Sequence, residues 1–256
     1  MSADAAHARE LCARGITKSY GGRKVLDAVS LTLGPGEVHA VLGPSGSGKT
    51  TLLRILNMLE APDAGEVVFR GGRIELSSAT RRLNDQQHTA RLKMALVPQK
   101  PVAFRRTVFE NAAFGLQVRG ESGQNIEKRV REALGPLGLL GLVGAPARRL
   151  SGGEQQRLAF ARASILDLDF LLLDEFTANL DPRNVKILEE AARSYARDAG
   201  AGVLLVTHDL FQARRTADRV SLLVDGSLVE SAPKADFFES PRDPRTKAFV
   251  AGELAV

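Results

Sequence analysis

Gly43-Pro44-Ser45-Gly46-Ser47-Gly48-Lys49-Thr50 sets two glycines around four residues and follows them with a lysine and a hydroxyl. A polyphosphate wrapped by backbone N–H groups needs such a loop, because glycine tolerates positive φ and lets the main chain come close. A helix starting at the loop's end aims its positive pole at the same phosphates. Lys49 then supplies a point charge to the β- and γ-phosphates, and the Thr50 hydroxyl is a ligand for Mg²⁺. Thr51 adds an α- or β-phosphate contact. A glycine-rich turn before a helix would match this pattern by chance in about one chain of this size per hundred. The strand-like residues before it and helix-like residues after it favour a nucleotide.

Two further constellations add chemistry. Phe170-Leu171-Leu172-Leu173-Asp174-Glu175 is an apolar run ending in two carboxylates. Ligands of parallel sheets collect outside the C-terminal ends of the strands. Asp174 is therefore placed to hold Mg²⁺ through water, and Glu175 to polarise an attacking water as general base. In Leu150-Ser151-Gly152-Gly153-Glu154-Gln155-Gln156-Arg157, Ser151 and Glu154 make a capping box. That leaves Gly152 and Gly153 unexplained. Glycines at a helix start keep its N–H groups accessible and make a second anion site. One nucleotide already has its cradle at 43–50, so the second site suggests sharing between two copies of the chain.

These groups need strands and helices to carry them. Short strands are expected at 11–20 and 25–33, and buried ones at 38–42, 94–97, 170–173 and 203–206. Helices are expected at 49–59, with Leu52, Leu56 and Leu59 on one face, and at 154–165, 182–199 and 210–217. Alternation of this kind implies a parallel, doubly wound sheet. Residues 104–149 lack strand patterning and read as a mostly helical insertion.

The combination of GPSGSGKT, LSGGEQQR and FLLLDE resembles the ATP-binding subunit of ABC transporters. Val97-Pro98-Gln99 is similar to that family's Q-loop, Ala178-Asn179-Leu180-Asp181 to its D-loop, and Val206-Thr207-His208-Asp209 to its switch histidine. The resemblance covers about residues 13–254. It implies an α/β fold of the P-loop NTPase (RecA-like) class, with a parallel-sheet core, an antiparallel β subdomain and a helical subdomain. One ATP-binding domain would span 8–256, the helical part taking about 104–165 and the remainder lying in 8–103 and 166–256. The resemblance further implies ATP and Mg²⁺ as bound groups, Tyr20 stacking on adenine, Gln99 contacting nucleotide and Mg²⁺, and His208 on the γ-phosphate. Two copies would pair head to tail. Each site would set Gly43, Pro44, Ser45, Gly46, Ser47, Gly48, Lys49, Thr50, Thr51, Gln99, Asp174, Glu175 and His208 of one copy against Ser151, Gly152, Gly153 and Asp181 of the other. Phe176, where the family usually has Pro, and Glu154, where Gln is common, depart from the pattern. Neither removes a phosphate contact.

Composition sets the outer limits. The 256 residues are 44 % hydrophobic and 25 % charged, ordinary for a globular protein with a real core. Cys12 is the single cysteine, so no intrachain disulfide scaffold forms and a reducing compartment is the default. The longest uncharged stretch, 134–147, is too short for a membrane span and contains four Gly and two Pro. The opening MSADAAHARELCARG has early charges of both signs and no apolar block, unlike a signal peptide. The net charge of +5 is spread over pairs such as Arg81-Arg82, Arg105-Arg106, Arg148-Arg149 and Arg214-Arg215, so no nucleic-acid partner is expected.

Lacking membrane helices and the acidic exporter-type loop before Ser151, the chain most resembles an importer-type subunit on the cytoplasmic face of a membrane. Its partner would be an integral membrane permease, served indirectly by a substrate-binding protein. Gln99 and the following helical stretch would face that permease, with Pro101, Phe104, Arg105 and Phe109 as candidate contacts. THDLFQARRTADRV and the ending AFVAGEL resemble oxyanion importers, tungstate first among tungstate, molybdate and phosphate. SPRDPRTKAF resembles polar amino-acid importers, the alternative cargo. A soluble Fe–S assembly ATPase, which also has one cassette, is the other alternative.

Overall fold

A computed structural model describes residues 9–76, 84–121 and 123–253. The opening eight residues, the pair Arg81-Arg82, Leu254 and the last two residues of the 8–256 span lie outside the described residues. An antiparallel sheet has the order β2-β1-β4-β5, formed by β1 (Leu11–Tyr20), β2 (Arg23–Leu33), β4 (Ala64–Phe69) and β5 (Gly72–Ile74). A six-stranded sheet has the order β10-β9-β3-β8-β7-β6, from β3 (Val38–Leu42), β6 (Met94–Val97), β7 (Phe170–Asp174), β8 (Gly202–Thr207), β9 (Arg219–Val224) and β10 (Ser227–Pro233). Its first five strands by sequence run parallel, as the alternation implied, and β10 closes one edge antiparallel. Every residue of β3, β7 and β8 is buried, the mark of central strands covered on both faces.

α1 (Lys49–Leu56) lies between the two sheets and buries Leu52, Leu53, Ile55 and Leu56 completely. They join one cluster with Leu11, Ile16 and Leu33 of the antiparallel sheet and Val41, Phe170, Leu204 and Val206 of the parallel one. Each such side chain contributes roughly 2 kcal/mol by leaving water. The helix ends three residues before the expected boundary at 59. Met58 adopts left-handed φ of 55°, and Met58 and Leu59 N–H groups donate back to Ile55 and Arg54 carbonyls. This closing motif satisfies the helix end and turns Leu59 outward, 44 % exposed, off the apolar face.

The remaining helices are α2 (Asp85–Leu92), α3 (Val108–Val118), α4 (Gln124–Leu134), α5 (Gly152–Ser164), α6 (Pro182–Ala199), α7 (Leu210–Thr216), α8 (Lys234–Glu239) and α9 (Pro244–Val250). β4, β5, β9, β10, α2, α8 and α9 are additions to the elements expected from sequence patterning. α3, α4 and α5 pack into one cluster with Leu171, Leu173, Val203 and Leu205 on the sheet face away from α1. Among the described residues no helix is long and apolar enough to cross a membrane.

Register in the parallel sheet fixes the site. Leu42 lies beside Thr207, Asp174 beside Val206, and Val97 beside Leu173. Gly43, Glu175, His208 and Gln99 therefore leave the sheet at a common edge.

His39 of β3 is buried between the sheets, with Nε2 2.7 Å from Ser221 Oγ and Nδ1 3.2 Å from the Thr32 carbonyl. Burial pushes its pKa from 6.5 down to about 4. Above pH 6.5 the imidazole is neutral whether the chain is folded or not. Between 6.5 and 4 the unfolded chain takes up the proton and the folded one does not, so stability falls with pH, by roughly 3 kcal/mol over that window. Urea titrations of wild type and His39→Gln at pH 7 and pH 4.5 should show a smaller acid loss in the variant. Equal losses would remove His39 from the linkage.

Candidate functional site

Lys49, the first residue of α1, is buried and turns its ammonium back into the preceding loop. Nζ donates to the carbonyls of Gly43 at 2.7 Å and Pro44 at 2.8 Å. Gly48 caps the helix at φ 103°, and no side chain takes the first N–H groups of α1. A Cβ on Gly43 would stand 2.1 Å from the Leu223 carbonyl oxygen and one on Gly48 2.6 Å from that of Val25. The glycines are thus demanded by close packing as well as by backbone freedom. Ser47 Oγ is buried with no protein partner. A buried hydroxyl left open beside free N–H groups is what an incoming anion's oxygen would satisfy.

Behind the loop stand the carboxylates. Thr50 Oγ1 donates to Asp174 Oδ1 at 3.1 Å, and burial raises the Asp174 carboxyl above the usual range. Burial also lowers the pKa of Lys49, while Glu175 and Asp174 pull it back up. Glu175 has a left-handed backbone, φ 42°, and its carboxylate is held at both oxygens. Gln99 Nε2 donates to Oε2 at 3.0 Å, and His208 Nδ1 lies 3.2 Å from Oε1. Tyr20 borders the same cleft; its hydroxyl donates to Glu60, and its pKa is raised by burial and by that carboxylate.

The cleft measures about 360 Å³ and is lined by Tyr20, Val25, Ser45, Gly46, Gly48, Lys49, Thr50, Thr51, Gln99, Asp174 and Glu175. Gly43, Pro44 and Ser47 complete the loop beneath it, and His208 reaches it through Glu175. Four of the sequence candidates lie elsewhere. Ser151 caps α5, its Oγ accepting from Glu154 N–H at 3.4 Å and donating to the Glu154 carboxylate at 2.8 Å. Asp181 caps α6, accepting from Arg183 and Asn184 N–H groups. Asn184 also donates to Asp181, and a Cβ on Gly153 would stand 2.5 Å from that Asn184 amide. Ser151, Gly152, Gly153 and Asp181 thus form a second constellation, with Ser151, Gly152 and Asp181 on the surface.

The profile of the ABC transporter family matches residues 26–178, spanning the phosphate loop, Gln99, the Ser151 helix start and Glu175. The chain belongs to the ABC transporter family. It is an ATP-binding subunit of that family, an ATPase coupled to transport. The chain is 42 % identical over 255 residues to the phosphate import ATP-binding protein PstB 2 of Natronomonas pharaonis, covering 96 % of this chain and 88 % of that one. It is 39 % identical to the L-cystine transport system ATP-binding protein TcyN of Escherichia coli, covering 93 % and 95 %. Identity to the tungstate uptake system ATP-binding protein TupC of Peptoclostridium acidaminophilum is 36 %, covering 87 % and 98 %. Among solved structures, the dimeric structure of a bacterial ABC transporter cassette superposes with a TM-score of 0.78 at 29 % identity, covering 88 % and 98 %. The P-loop NTPase fold inferred from the motifs is the one observed.

Val25 lines this ABC ATPase's cleft and Glu60 holds the hydroxyl of Tyr20 at its border; neither is among the sequence candidates. Val25 begins the apolar alternation of β2, a signal that could have placed it beside the loop. Glu60 has no local signal, because Tyr20 and Glu60 are 40 positions apart.

Proposed function

We propose that the chain hydrolyses ATP in this cleft to power import of an inorganic oxyanion through a separate membrane permease. The observation carrying the chemistry is Glu175, gripped by Gln99 and His208 at the edge where Lys49 and Thr50 meet Asp174. Glu175 accepts the proton of the attacking water, Lys49 balances phosphate charge, and His208 orients the Glu175 carboxylate and faces the γ-phosphate. Tyr20 stacks on adenine.

Mg²⁺ fits the donor set. Thr50 offers a hydroxyl and Asp174 a carboxylate, with the Gln99 amide nearby; among the described residues no cluster of three His, Cys, Asp or Glu side chains makes a metal cage by itself. Mg²⁺ is ordinarily held this way, by one or two protein oxygens together with substrate phosphates and water. When bound it supplies charge neutralisation to the phosphates.

The second constellation, Ser151, Gly152, Gly153 and Asp181, lies outside the lining of the chain's own cleft and supports a head-to-tail pair in which it closes the other copy's site. The helical stretch 104–165 carries most of it. The same stretch supports a permease contact. An antiparallel bridge between Thr107 and Pro146, with Ala147 N–H donating to the Arg106 carbonyl at 3.0 Å, sets exposed Arg105-Arg106 beside exposed Arg148-Arg149. These pairs, far apart in sequence, form one basic face next to exposed Val102, Phe104 and Phe114. Docked there, the subunit would lie peripherally on the cytoplasmic side.

The cargo reading draws on the phosphate- and tungstate-importing relatives; the L-cystine relative favours a polar amino acid as the second reading. Reconstitution in vesicles with the membrane proteins that co-purify with the chain decides between them. Uptake of radiolabelled tungstate, molybdate or phosphate, dependent on ATP and insensitive to L-cystine, is expected. A wholly soluble partner, or amino-acid uptake instead, would overturn it.

A further inference from the structure

Gln212 is only 1 % exposed, and it sits on the first turn of α7, four residues beyond His208. Its Nε2 donates to Thr177 Oγ1 at 2.5 Å and lies 3.5 Å from Glu189 Oε1 of α6. Arg215 grips that carboxylate twice, Nε to Oε2 at 2.9 Å and Nη2 to Oε1 at 2.7 Å. The carboxylate is an acceptor only, which fixes the amide nitrogen on that side. Gln212 Oε1 is left buried with no partner. An apolar side chain of equal size would avoid that cost, so packing alone does not account for an amide here.

What the amide holds is the segment after Glu175. The left-handed backbone of Glu175 persists only where its surroundings restrain it. On the near side Glu175 N–H donates to the Val206 carbonyl at 2.9 Å, and Ala178 N–H returns to the Glu175 carbonyl at 2.9 Å. On the far side Thr177, two residues on, is held by Gln212. The Gln212 backbone N–H donates to Asp209 Oδ1 at 3.1 Å, in the cap that starts α7 just after His208. One residue therefore touches the chain on both sides of the 3.2 Å contact between Glu175 and His208.

We infer that Gln212 is a positioning residue, which sets the approach of His208 to Glu175 by tying Thr177 to α7. This rests on the hydrolytic roles proposed for Glu175 and His208. Gln212→Leu removes the donor at similar volume; Thr177→Val removes its acceptor at nearly constant shape, and Thr177→Ser keeps it. Gln212→Leu and Thr177→Val should each lower kcat about tenfold or more with KM for ATP unchanged within about twofold, a drop in rate without a loss of binding. Thr177→Ser should retain the wild-type rate. In a His208→Ala background neither substitution should lower kcat further, since residues acting through one contact are not additive. Wild-type turnover in Thr177→Val, or losses that multiply fully with His208→Ala, would overturn the inference. Where Gln212→Leu fails to fold, the Thr177 pair decides alone, because that side chain is only half-buried. A wild-type chain that binds ATP without hydrolysing it would fail the functional reading instead, and the two failures are told apart by that control.

Discussion

Glu175→Gln is expected to bind ATP with affinity within a few-fold of wild type while kcat falls by about 10²–10⁴, the range for losing a general base. The amide keeps the shape of the carboxylate. Its oxygen can accept from Gln99 Nε2 as Oε2 does at 3.0 Å, and its NH₂ can donate to a neutral His208 Nδ1 where Oε1 now stands at 3.2 Å. Geometry survives and basicity does not. Because hydrolysis would separate the paired copies, the variant should also accumulate as an ATP-bound dimer. Steady-state hydrolysis, equilibrium dialysis with nucleotide and size-exclusion chromatography with and without ATP read the three consequences. Turnover at the wild-type rate would rule out Glu175 as the base.

Gly48→Ala should abolish nucleotide binding and lower stability by about 2–4 kcal/mol, combining backbone strain with overpacking. Gly48 holds φ at 103°, and a Cβ there would stand 2.6 Å from the Val25 carbonyl oxygen and 2.8 Å from Leu26 Cδ2. Neither neighbour yields readily: Val25 and Leu26 belong to β2, and Leu26 is fully buried. Relief must come from the phosphate loop, which carries Lys49 out of place. Gly46→Ala separates the two causes. Its φ of 82° is also strained, but nothing lies within 4 Å of the added Cβ, so the loss should be nearer 1 kcal/mol with binding weakened rather than abolished. Denaturant titration and nucleotide dialysis on both variants test this; equal effects would remove the contact with β2 from the account.

The parts of the site legible in the sequence are those dictated by adjacent residues. The loop from Gly43 to Thr50 is one run of chain, and the Asp174-Glu175 pair follows its own strand. Gln99 and His208 were legible only by family likeness, since they meet Glu175 across 76 and 33 positions. Gln212 had neither aid. Its partners are 35 and 23 positions away, and a buried amide one turn from buried Thr216 gives no periodic apolar signal. The misplaced end of α1 has a local cause: the left-handed residue closing it is Met58 rather than glycine, so the stop went unmarked. Arg105-Arg106 and Arg148-Arg149 stand apart in the sequence because the bridge joining Thr107 to Pro146 spans an insertion whose helices hide the proximity of its two ends. β9, the run RVSLLV, has the apolar character of the other core strands and was legible in principle.

The separation between the cleft and the surface constellation at Ser151 and Asp181 bears on heredity as much as on chemistry. Under the head-to-tail arrangement, a copy defective in Glu175 still lends a sound Ser151 to its mate, and a copy defective at Ser151 still lends a sound Glu175. Either kind of mutant gene product, made alongside the normal one, therefore leaves one intact site in every mixed pair. Two different defects placed in opposite copies would leave one intact site and one doubly broken site in each mixed pair, a partial complementation that no single-copy enzyme can show.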